Sequence, residues 1–390
     1  MAPNGITAAS ERRTLLRCST RGGGGCTSLS LDRIAALILY NHCFPHHSHP
    51  PSSGLNNDKE EHMKKLLAGF ISLLLIGPGA AWAHDDWDDD RDAVRSFVTL
   101  PDGPGHPEGI AADRWGNIYV ATFEFTQPNV IHVFGRHGQL RLTIPVPGVP
   151  LGMEFDAAGN LYVANFGGGS VLRFSPPFTP ASVPSATFSV CGGPGAGCGL
   201  NAIAFDADGH LYVSDSFGGR VFKIDLPGGT ASEFFAHDLL KPGSHGFPGF
   251  GANGLAFGGG FLYIANTADD RVLRLHIATT TLSTFAESIN GADGIAFDRH
   301  GRLWVCANQG DEVVALNNKG RVIARIGKFE GIRRDGSPKG LLFPASLVIV
   351  GNEMFVTNLA LALTEPEPIG DEPEEDVTRW TVSRIKLPHH

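Results

Sequence analysis

Four side chains that carry oxygen ligands stand at one repeated position of this sequence. The position lies immediately before a short stretch of the Gly-Ile-Ala-Phe type. It holds Glu108, Asn201, Asn253 and Asp293, and in two further copies Leu151 and Ala345. Carboxylate and amide oxygens are the ligands that calcium takes in proteins, with water completing its coordination. These residue types therefore predict a divalent cation site, with Ca²⁺ as the expected metal.

The charge and the donor atoms of this set favour a hard cation. Two carboxylates balance a divalent charge, and the set contains no histidine or cysteine, which zinc and copper prefer. Coordination positions left free by the protein could take the carbonyl oxygen of a substrate, and the metal would then act as a Lewis acid. A structural role is the alternative, because Asp and Asn at strand starts often bind loop backbone groups.

A repeat that recurs six times between about residue 106 and residue 360 must position these side chains. Two copies read P-E-G-I-A-A-D-R-W-G-N-I-Y-V-A-T from Pro107 and P-L-G-M-E-F-D-A-A-G-N-L-Y-V-A-N from Pro150; the others begin at Leu200, Ala252, Ala292 and Pro344. Each copy contains two apolar strands joined by a D-x-x-G-like turn, where glycine supplies a positive φ. Further strands follow, and four strands per about 40–50 residues are typical of a β-propeller blade.

The two ends of the repeat array complement each other. The last copy has strands near Leu347, Phe355 and Val382 but no fourth strand, and the apolar segment Val94 to Leu100 precedes the first copy. If this segment is the outer strand of the last blade, the ring closes and two exposed sheet edges disappear. A solenoid would instead have polar capping repeats. We therefore predict an all-β fold, a single six-bladed β-propeller of four-stranded blades over residues 94–390.

A second repeated position ends the second strand of each copy. It holds Thr122, Asn165, Asp215, Asn266 and Asn358. These residues precede glycine-rich connectors, and Asn and Asp are expected at turns. We predict a structural role for this position.

The blade motif resembles NHL-type repeats, and the polar ring resembles that of the regucalcin/gluconolactonase family. The motifs that carry the second resemblance are Glu108-Gly109-Ile110, Asn253-Gly254-Leu255 and Asp293-Gly294-Ile295. In that family the corresponding Glu, Asn and Asp hold one divalent metal, and an Asn that matches Asn201 contacts metal or substrate. The resemblance spans about residues 104–387. It implies a propeller with a metal at the mouth of its channel.

The resemblance, together with the predicted metal ligands, implies a metal-dependent hydrolase of lactones or related esters. The metal would polarise the carbonyl group, and Asp293 or a metal-bound water would act as base or nucleophile. The alternative is a non-catalytic NHL-type binding propeller of the cell envelope, with the metal structural or absent. A third class, a lyase acting on cyclic peptide antibiotics, would need a catalytic histidine. His245, in the loop before the fourth copy, is the candidate.

The cysteines that follow Ala83 have different expected roles. Cys191 and Cys198 lie in the loop C-G-G-P-G-A-G-C. In an oxidising compartment we expect a disulfide between them. Cys306, in the segment W-V-C-A-N, is expected to be a small buried apolar residue.

The beginning of the chain predicts export. Met63-Lys64-Lys65, the apolar run Leu66 to Ile76 and Ala81-Trp82-Ala83 are the three parts of a secretory signal peptide. We predict that residues 63–83 are this signal peptide, that residues 1–62 are not part of the mature protein and that residues 84–93 are an acidic disordered segment. The mature protein would be periplasmic or secreted, without a membrane span. We also expect a monomer that binds a small molecule. Nucleic acid is not expected, because the net charge is -9 and no basic cluster interleaves with aromatic residues.

Overall fold

The computed structural model describes residues 93–388 apart from residues 104, 126–127, 193–196, 227, 244–248 and 364–371. The predictions for residues 1–62 and for the signal peptide at 63–83, and that for 84–93 up to residue 92, lie outside the described residues. His245 also lies outside them. Within the described ranges, no helix combines the length and the hydrophobicity that a membrane crossing needs.

The first strand of the chain, β1 (Val94–Thr99), is followed by three blades, each a four-stranded antiparallel sheet. Blade one consists of β2 (Pro107–Ala112), β3 (Ile118–Thr122), β4 (Asn129–Phe134) and β5 (Leu140–Val146). Blade two consists of β6 (Val149–Phe155), β7 (Leu161–Phe166), β8 (Ser170–Phe174) and β9 (Ala186–Ser189). Blade three consists of β10 (Leu200–Phe205), β11 (Leu211–Asp215), β12 (Arg220–Asp225) and β13 (Thr230–Ala236).

The second half of the chain forms three more blades and one additional hairpin. Blade four consists of β14 (Ala252–Gly258), β15 (Phe261–Asn266), β16 (Arg271–His276) and β17 (Thr281–Glu287). Blade five consists of β18 (Ala292–Phe297), β19 (Leu303–Ala307), β20 (Glu312–Leu316) and β21 (Val322–Ile326). The hairpin of β22 (Phe329–Ile332) and β23 (Pro338–Gly340) comes next, before β24 (Pro344–Val350), β25 (Glu353–Asn358) and β26 (Thr381–Lys386) of blade six. The short 3-10 helices of the described part are Asp238–Leu240, Asn308–Gly310 and Pro373–Asp376.

The six sheets form a closed ring. Their first strands contact one another in cyclic order, from β2 through β6, β10, β14 and β18 to β24 and back to β2. Blade six takes its outer strand from the beginning of the chain, since β1 pairs with β26 from Val94 opposite Ile385 to Thr99 opposite Thr381. The predicted six-bladed propeller and its closing strand are therefore confirmed. The hairpin of β22 and β23 was not predicted.

The aromatic residues of the repeat fill the spaces between blades. The tyrosine of a second strand packs edge-on against the phenylalanine at the end of the next blade's first strand. The ring centroids are 4.9 Å apart for Tyr119 and Phe155 and 5.1 Å apart for Tyr263 and Phe297. Each pair of neighbouring blades shares a separate cluster of buried apolar side chains. Burial of these aromatic side chains between the sheets stabilises the closed propeller.

The D-x-x-G turns join the first two strands of a blade by a repeated set of hydrogen bonds. Asp113 Oδ1 accepts hydrogen bonds from the backbone N–H groups of Trp115 and Asn117, each 2.9 Å long. Gly116 has a φ of +78°, in the region that favours glycine. The aspartate and the glycine of the repeat are therefore explained by the turn itself.

Candidate metal centre

Each first strand contains a β-bulge at the repeated polar position, which we call the ring position. In blade one, Pro107 pairs with Thr122 and Ile110 pairs with Val120, so two residues, Glu108 and Gly109, oppose one residue of β3. The same register shift occurs in all six first strands. A bulge turns a side chain away from the regular alternation of a strand. The bulges allow the ring residues of different blades to face the same space.

Glycine follows the ring position in four of the six blades. A Cβ atom at Gly109 would clash with the carbonyl oxygen of Leu151, and a Cβ at Gly254 would clash with the carbonyl oxygen of Asp293. Each of these oxygens belongs to the ring residue of the next blade. The glycines therefore permit the close backbone approach that brings neighbouring ring positions together.

The predicted ligands lie together in one cavity. Glu108, Asn201, Asn253 and Asp293 all line it, and their exposed fractions are only 4–6%. Their side chains come from four blades that are far apart in the chain, so only the closed propeller brings them together. The cavity is also lined by Leu151, from the ring position of blade two.

Four oxygen atoms in this cavity are buried without a hydrogen-bond partner among the described residues: Glu108 Oε2, Asn201 Oδ1, Asp293 Oδ1 and Asn308 Oδ1. A buried acceptor without a donor is costly, so such atoms call for an explanation, for example an ion. All four are hard oxygen donors, and two belong to acids. The donor set fits a hard divalent cation such as calcium.

The two carboxyl groups of the cavity oppose each other's ionisation. Burial and then the negative charge of Asp293 raise the pKa of Glu108 well above its ordinary range. Burial also raises the pKa of Asp293, although a hydrogen bond from Asn308 partly offsets this. A divalent cation would counteract the rise in both pKa values, because it favours the charged form of each acid.

Asn308 belongs to the cavity and was not predicted from the sequence. Its Nδ2 donates a 2.9 Å hydrogen bond to Asp293 Oδ2. It lies one residue beyond the second repeated position, which Ala307 occupies in blade five. The signal was available: across the six copies, this next position holds Phe123, Phe166, Ser216, Thr267, Asn308 and Leu359. Its polar residues fall in blades three to five, where three of the four predicted ligands also lie.

The amide group of Asn253 is oriented by a chain of hydrogen bonds. Its Nδ2 donates to Thr267 Oγ1 over 2.9 Å, and this hydroxyl group donates to the carbonyl oxygen of Ala292 over 2.8 Å. Because the nitrogen is engaged with Thr267, Oδ1 is the atom that Asn253 can offer to a cation.

The second repeated position has the structural role that was predicted. Asp215 Oδ1 accepts hydrogen bonds from the backbone N–H groups of Gly199, Phe217 and Gly218, and its Oδ2 accepts from Arg220. Asn165 Oδ1 accepts a hydrogen bond from the backbone N–H of Val149. These side chains satisfy the loops that join neighbouring blades.

Another group of possible cation ligands lies in a D-x-x-G turn. Asp206, Asp208 and His210 are the one set of three His, Cys, Asp or Glu residues in the described ranges whose ligand atoms all lie within 4.8 Å of one another. The oxygens of Asp206 already accept hydrogen bonds from the backbone N–H groups of Asp208 and His210 and from the hydroxyl of Tyr212. This is the bonding of the equivalent turn at Asp113. The hydrogen bonds of the turn therefore explain why these three side chains lie close together.

The cysteines of the described part do not contribute a nucleophile to the cavity. Cys191 and Cys198 are joined in a disulfide, with Cα atoms 6.6 Å apart. Cys306 is fully buried in β19. Burial raises the pKa of the Cys306 thiol well above its usual value, and the charges of Asp293 and Glu108 raise it further. The thiol form is unreactive, so Cys306 is a packing residue.

Comparisons with known proteins identify the fold. No protein-family model matches this chain, and no curated protein matches it. The structure is similar to a calcium-binding protein, regucalcin, from Agrobacterium tumefaciens, with a TM-score of 0.53 and 16% identity over 75% of this chain and 96% of that one. It is similar to a gluconolactonase from Xanthomonas campestris, with a TM-score of 0.52 and 15% identity over 74% and 89% of the two chains. A virginiamycin B lyase from Staphylococcus aureus has a TM-score of 0.50 and 11% identity over 76% and 99%.

These likenesses confirm the resemblance to regucalcin and gluconolactonase at the level of the fold. At such identities the activity of the similar proteins does not transfer. The lyase alternative depends on His245, which lies outside the described residues, and it stays a prediction.

Proposed function

We propose that this protein is an exported metal-dependent hydrolase of lactones or related esters that holds calcium at the ring position. One observation carries the proposal. Four buried oxygens line one cavity without a donor from any described residue, and two of them belong to acids. Glu108, Asn201, Asn253, Asp293 and Asn308 would hold the ion. A divalent cation would satisfy their oxygens and neutralise the two carboxylates.

The reaction would add a water oxygen to the carbonyl carbon and break the bond from that carbon to the ring or ester oxygen. A bound divalent cation would supply Lewis acidity that polarises the carbonyl group. Asp293 is the candidate base, and its carboxylate would accept a proton from the attacking water. The proton would then pass to the departing oxygen, so that a lactone yields a hydroxy acid. Asn308 would keep Asp293 in position through its hydrogen bond to Oδ2.

Export is supported by two independent features. The segment Met63 to Ala83 has the parts of a signal peptide. The Cys191–Cys198 disulfide is typical of an oxidising compartment, such as the periplasm or the exterior of the cell. We propose that the mature protein acts there as a monomer on a small molecule.

Calcium-dependent melting tests the metal site. At calcium a hundredfold above its dissociation constant, binding should stabilise the folded protein by about 2.7 kcal/mol. Glu108→Gln and Asp293→Asn should abolish the rise in Tm, because each leaves one charge against the ion. Glu154→Gln is the matched control, since Glu154 lies in a separate cavity at the opposite end of the first strands. If no divalent metal shifts the wild-type melt and none co-purifies, the ring is structural.

Turnover is tested separately from binding. Lactones and esters should be hydrolysed by the calcium-loaded protein, and a chelator should abolish the activity. When the calcium concentration is raised until Asp293→Asn also binds the ion, this variant should still be inactive if Asp293 is the base. If calcium binds but neither lactones nor esters are hydrolysed, the protein is a non-catalytic binding propeller with a structural metal.

A further inference from the structure

The cavity around the ring position has two chemically different halves. Blades three, four and five contribute the amides, Thr267 and Asp293, and Glu108 completes this polar half. The opposite half comes from blades six, one and two and from the segments beside them. Its main residues are Phe123, Leu151, Phe166, Phe343, Leu359 and Leu361. The two halves meet at the ring, so one bound molecule would contact both.

The apolar half is a packed surface. Phe123, Leu151, Phe343 and Leu359 belong to one cluster of buried side chains, against which Phe166 and Leu361 also pack. Phe250 extends this surface, with its ring centroid 6.2 Å from that of Phe166. Phe125 lies beside Phe123, with centroids 5.6 Å apart, and 51% of it is exposed. An exposed aromatic side chain next to buried ones offers a surface on which an apolar group can pack.

The backbone supports this half in an unusual conformation. Phe343 has a φ of +47° and Ala360 a φ of +43°. Positive φ is rare for a residue as bulky as phenylalanine, and such residues concentrate at binding sites. The backbone N–H of Phe343 donates a 2.9 Å hydrogen bond to Asp311 Oδ1, which holds this conformation. The ring of Phe343 is thereby kept in the cavity wall.

The cavity offers little to a ligand with many hydroxyl groups. No described Lys, Arg or His side chain lines it, and its polar side chains are those of the ring together with Thr267 and Asn308. If these groups hold the ion, hydroxyl groups on the rest of a ligand would lie against phenylalanine and leucine without partners. A buried hydroxyl without a partner weakens binding.

We propose that the substrate is a lactone or ester with an alkyl or aryl substituent that packs on the apolar half while its carbonyl oxygen faces the ring. This rests on the proposed function and defines its substrate class. The bond that is cleaved stays the same. The apolar half determines which lactones or esters bind, because burial of a hydrocarbon group favours binding and burial of hydroxyl groups opposes it.

Three lactones of the same ring size test this selection with the full calcium-loaded protein. These are δ-valerolactone, which has no substituent, δ-decalactone, which carries a pentyl group, and gluconolactone, which carries hydroxyl groups. We expect kcat/KM for δ-decalactone to exceed that for δ-valerolactone by at least about tenfold, as burial of several methylene groups should produce. Gluconolactone should be the poorest substrate. Binding of the lactam analogue of δ-decalactone, which is not hydrolysed, is measured in parallel by calorimetry.

Single substitutions in the apolar half are compared with a control substitution outside the cavity. Phe125→Ser and Leu361→Asn should lower the ratio of kcat/KM between δ-decalactone and δ-valerolactone by about tenfold. Trp115→Ser is the control, because Trp115 is an aromatic residue with 67% exposure that does not line the cavity. It should leave the ratio unchanged. An equal effect of all three substitutions would overturn the proposal.

The outcomes separate this proposal from the proposed function. Faster hydrolysis of gluconolactone than of δ-decalactone would overturn the apolar selection and leave the hydrolase intact. If no lactone is hydrolysed but the pentyl lactam binds through Phe125 and Leu361, the selection is supported and the hydrolase is wrong. If δ-decalactone is not hydrolysed and its lactam does not bind, the selection is overturned.

Discussion

Asn308 donates a hydrogen bond from Nδ2 to Oδ2 of Asp293 over 2.9 Å, and both side chains are almost fully buried. The bond joins the end of one strand of blade five to the beginning of another. It leaves Oδ1 of each residue in the cavity without a partner from the described part of the chain. If the cavity holds the proposed ion, Asn308 would have two functions, because it would orient Asp293 and offer its own Oδ1 to the ion.

Asn308→Ala is expected to weaken calcium binding by about tenfold or more, because it removes one ligand and releases another. Calorimetry of calcium binding measures this change, and the melt of the metal-free protein shows whether the fold survives. Asn290→Ala is the control: its amide donates to the backbone oxygen of Gln309, next to Asn308, but its side chain is exposed. If both variants bind calcium like the wild type, Asn308 has only a structural role.

The stability of the metal-free protein should fall as the pH rises. The pKa of Glu108 is raised by burial and by Asp293, and burial raises the pKa of Asp293 to about 7. Between about pH 4, the ordinary carboxyl value, and this raised value, the folded protein binds more protons than the unfolded chain. The free energy of unfolding that these groups contribute therefore decreases with pH across this window.

Melts of wild type and Glu108→Gln in a chelator, from about pH 5 to pH 8, measure this effect. The wild type should lose Tm relative to the variant as the pH rises, and saturating calcium should reverse the difference. The comparison isolates the carboxyl pair, because other titrating groups, such as the buried His132, are common to both proteins. A difference in Tm that does not change with pH would contradict the pKa assignment.

Gly109→Ala should destabilise the protein by about 1–3 kcal/mol, the usual cost of forcing atoms into a packed site. The added Cβ would meet the carbonyl oxygen of Leu151, so the backbone of the ring must shift. Denaturant unfolding measures the loss, and calcium affinity should fall with it. Ser346→Ala is the control, since Ser346 occupies the same position in blade six and already carries a Cβ there. Equal stability of Gly109→Ala and the wild type would show that the close approach is not required.

Removal of residues 93–100 should strongly destabilise the propeller. Blade six would lose β1, and the edge of β26 would be exposed. The contact between Phe97 and Phe355, whose centroids are 4.7 Å apart, would also be lost. A synthetic peptide of residues 93–101, added to the truncated protein, should restore much of the Tm, whereas a scrambled peptide should not. A truncated protein that melts like the full chain would contradict closure by β1.

The fold could be predicted from the sequence because its signals are local. Each blade repeats the same alternation of apolar residues, and four of the six repeat the same D-x-x-G turn, so counting the copies counts the blades. The closing strand followed from the rule that sheet edges are avoided. The hairpin of β22 and β23 escaped prediction, because it belongs to no repeat and its strands have only four and three residues.

The candidate site could be predicted only in part. The ring position holds the same place in every copy, so its four polar residues, Glu108, Asn201, Asn253 and Asp293, could be identified by alignment of the copies alone. Alignment of the copies also shows polar residues at the position of Asn308, but the role of Asn308 depends on a contact with Asp293 that no local pattern specifies. The division of the cavity into a polar and an apolar half was equally hidden, since Phe343 and Leu361 lie outside the repeated strand positions.

The sequence by itself therefore determined the number of blades, their closure and the ring position, because periodic strands and turns are set by interactions between near neighbours in the chain. Only the tertiary structure decided which side chains share the cavity and which oxygens remain without a donor among the described residues. The contacts in the cavity depend on six bulges and on the close approach of blades that are distant in sequence. Such convergence is a property of the closed ring as a whole.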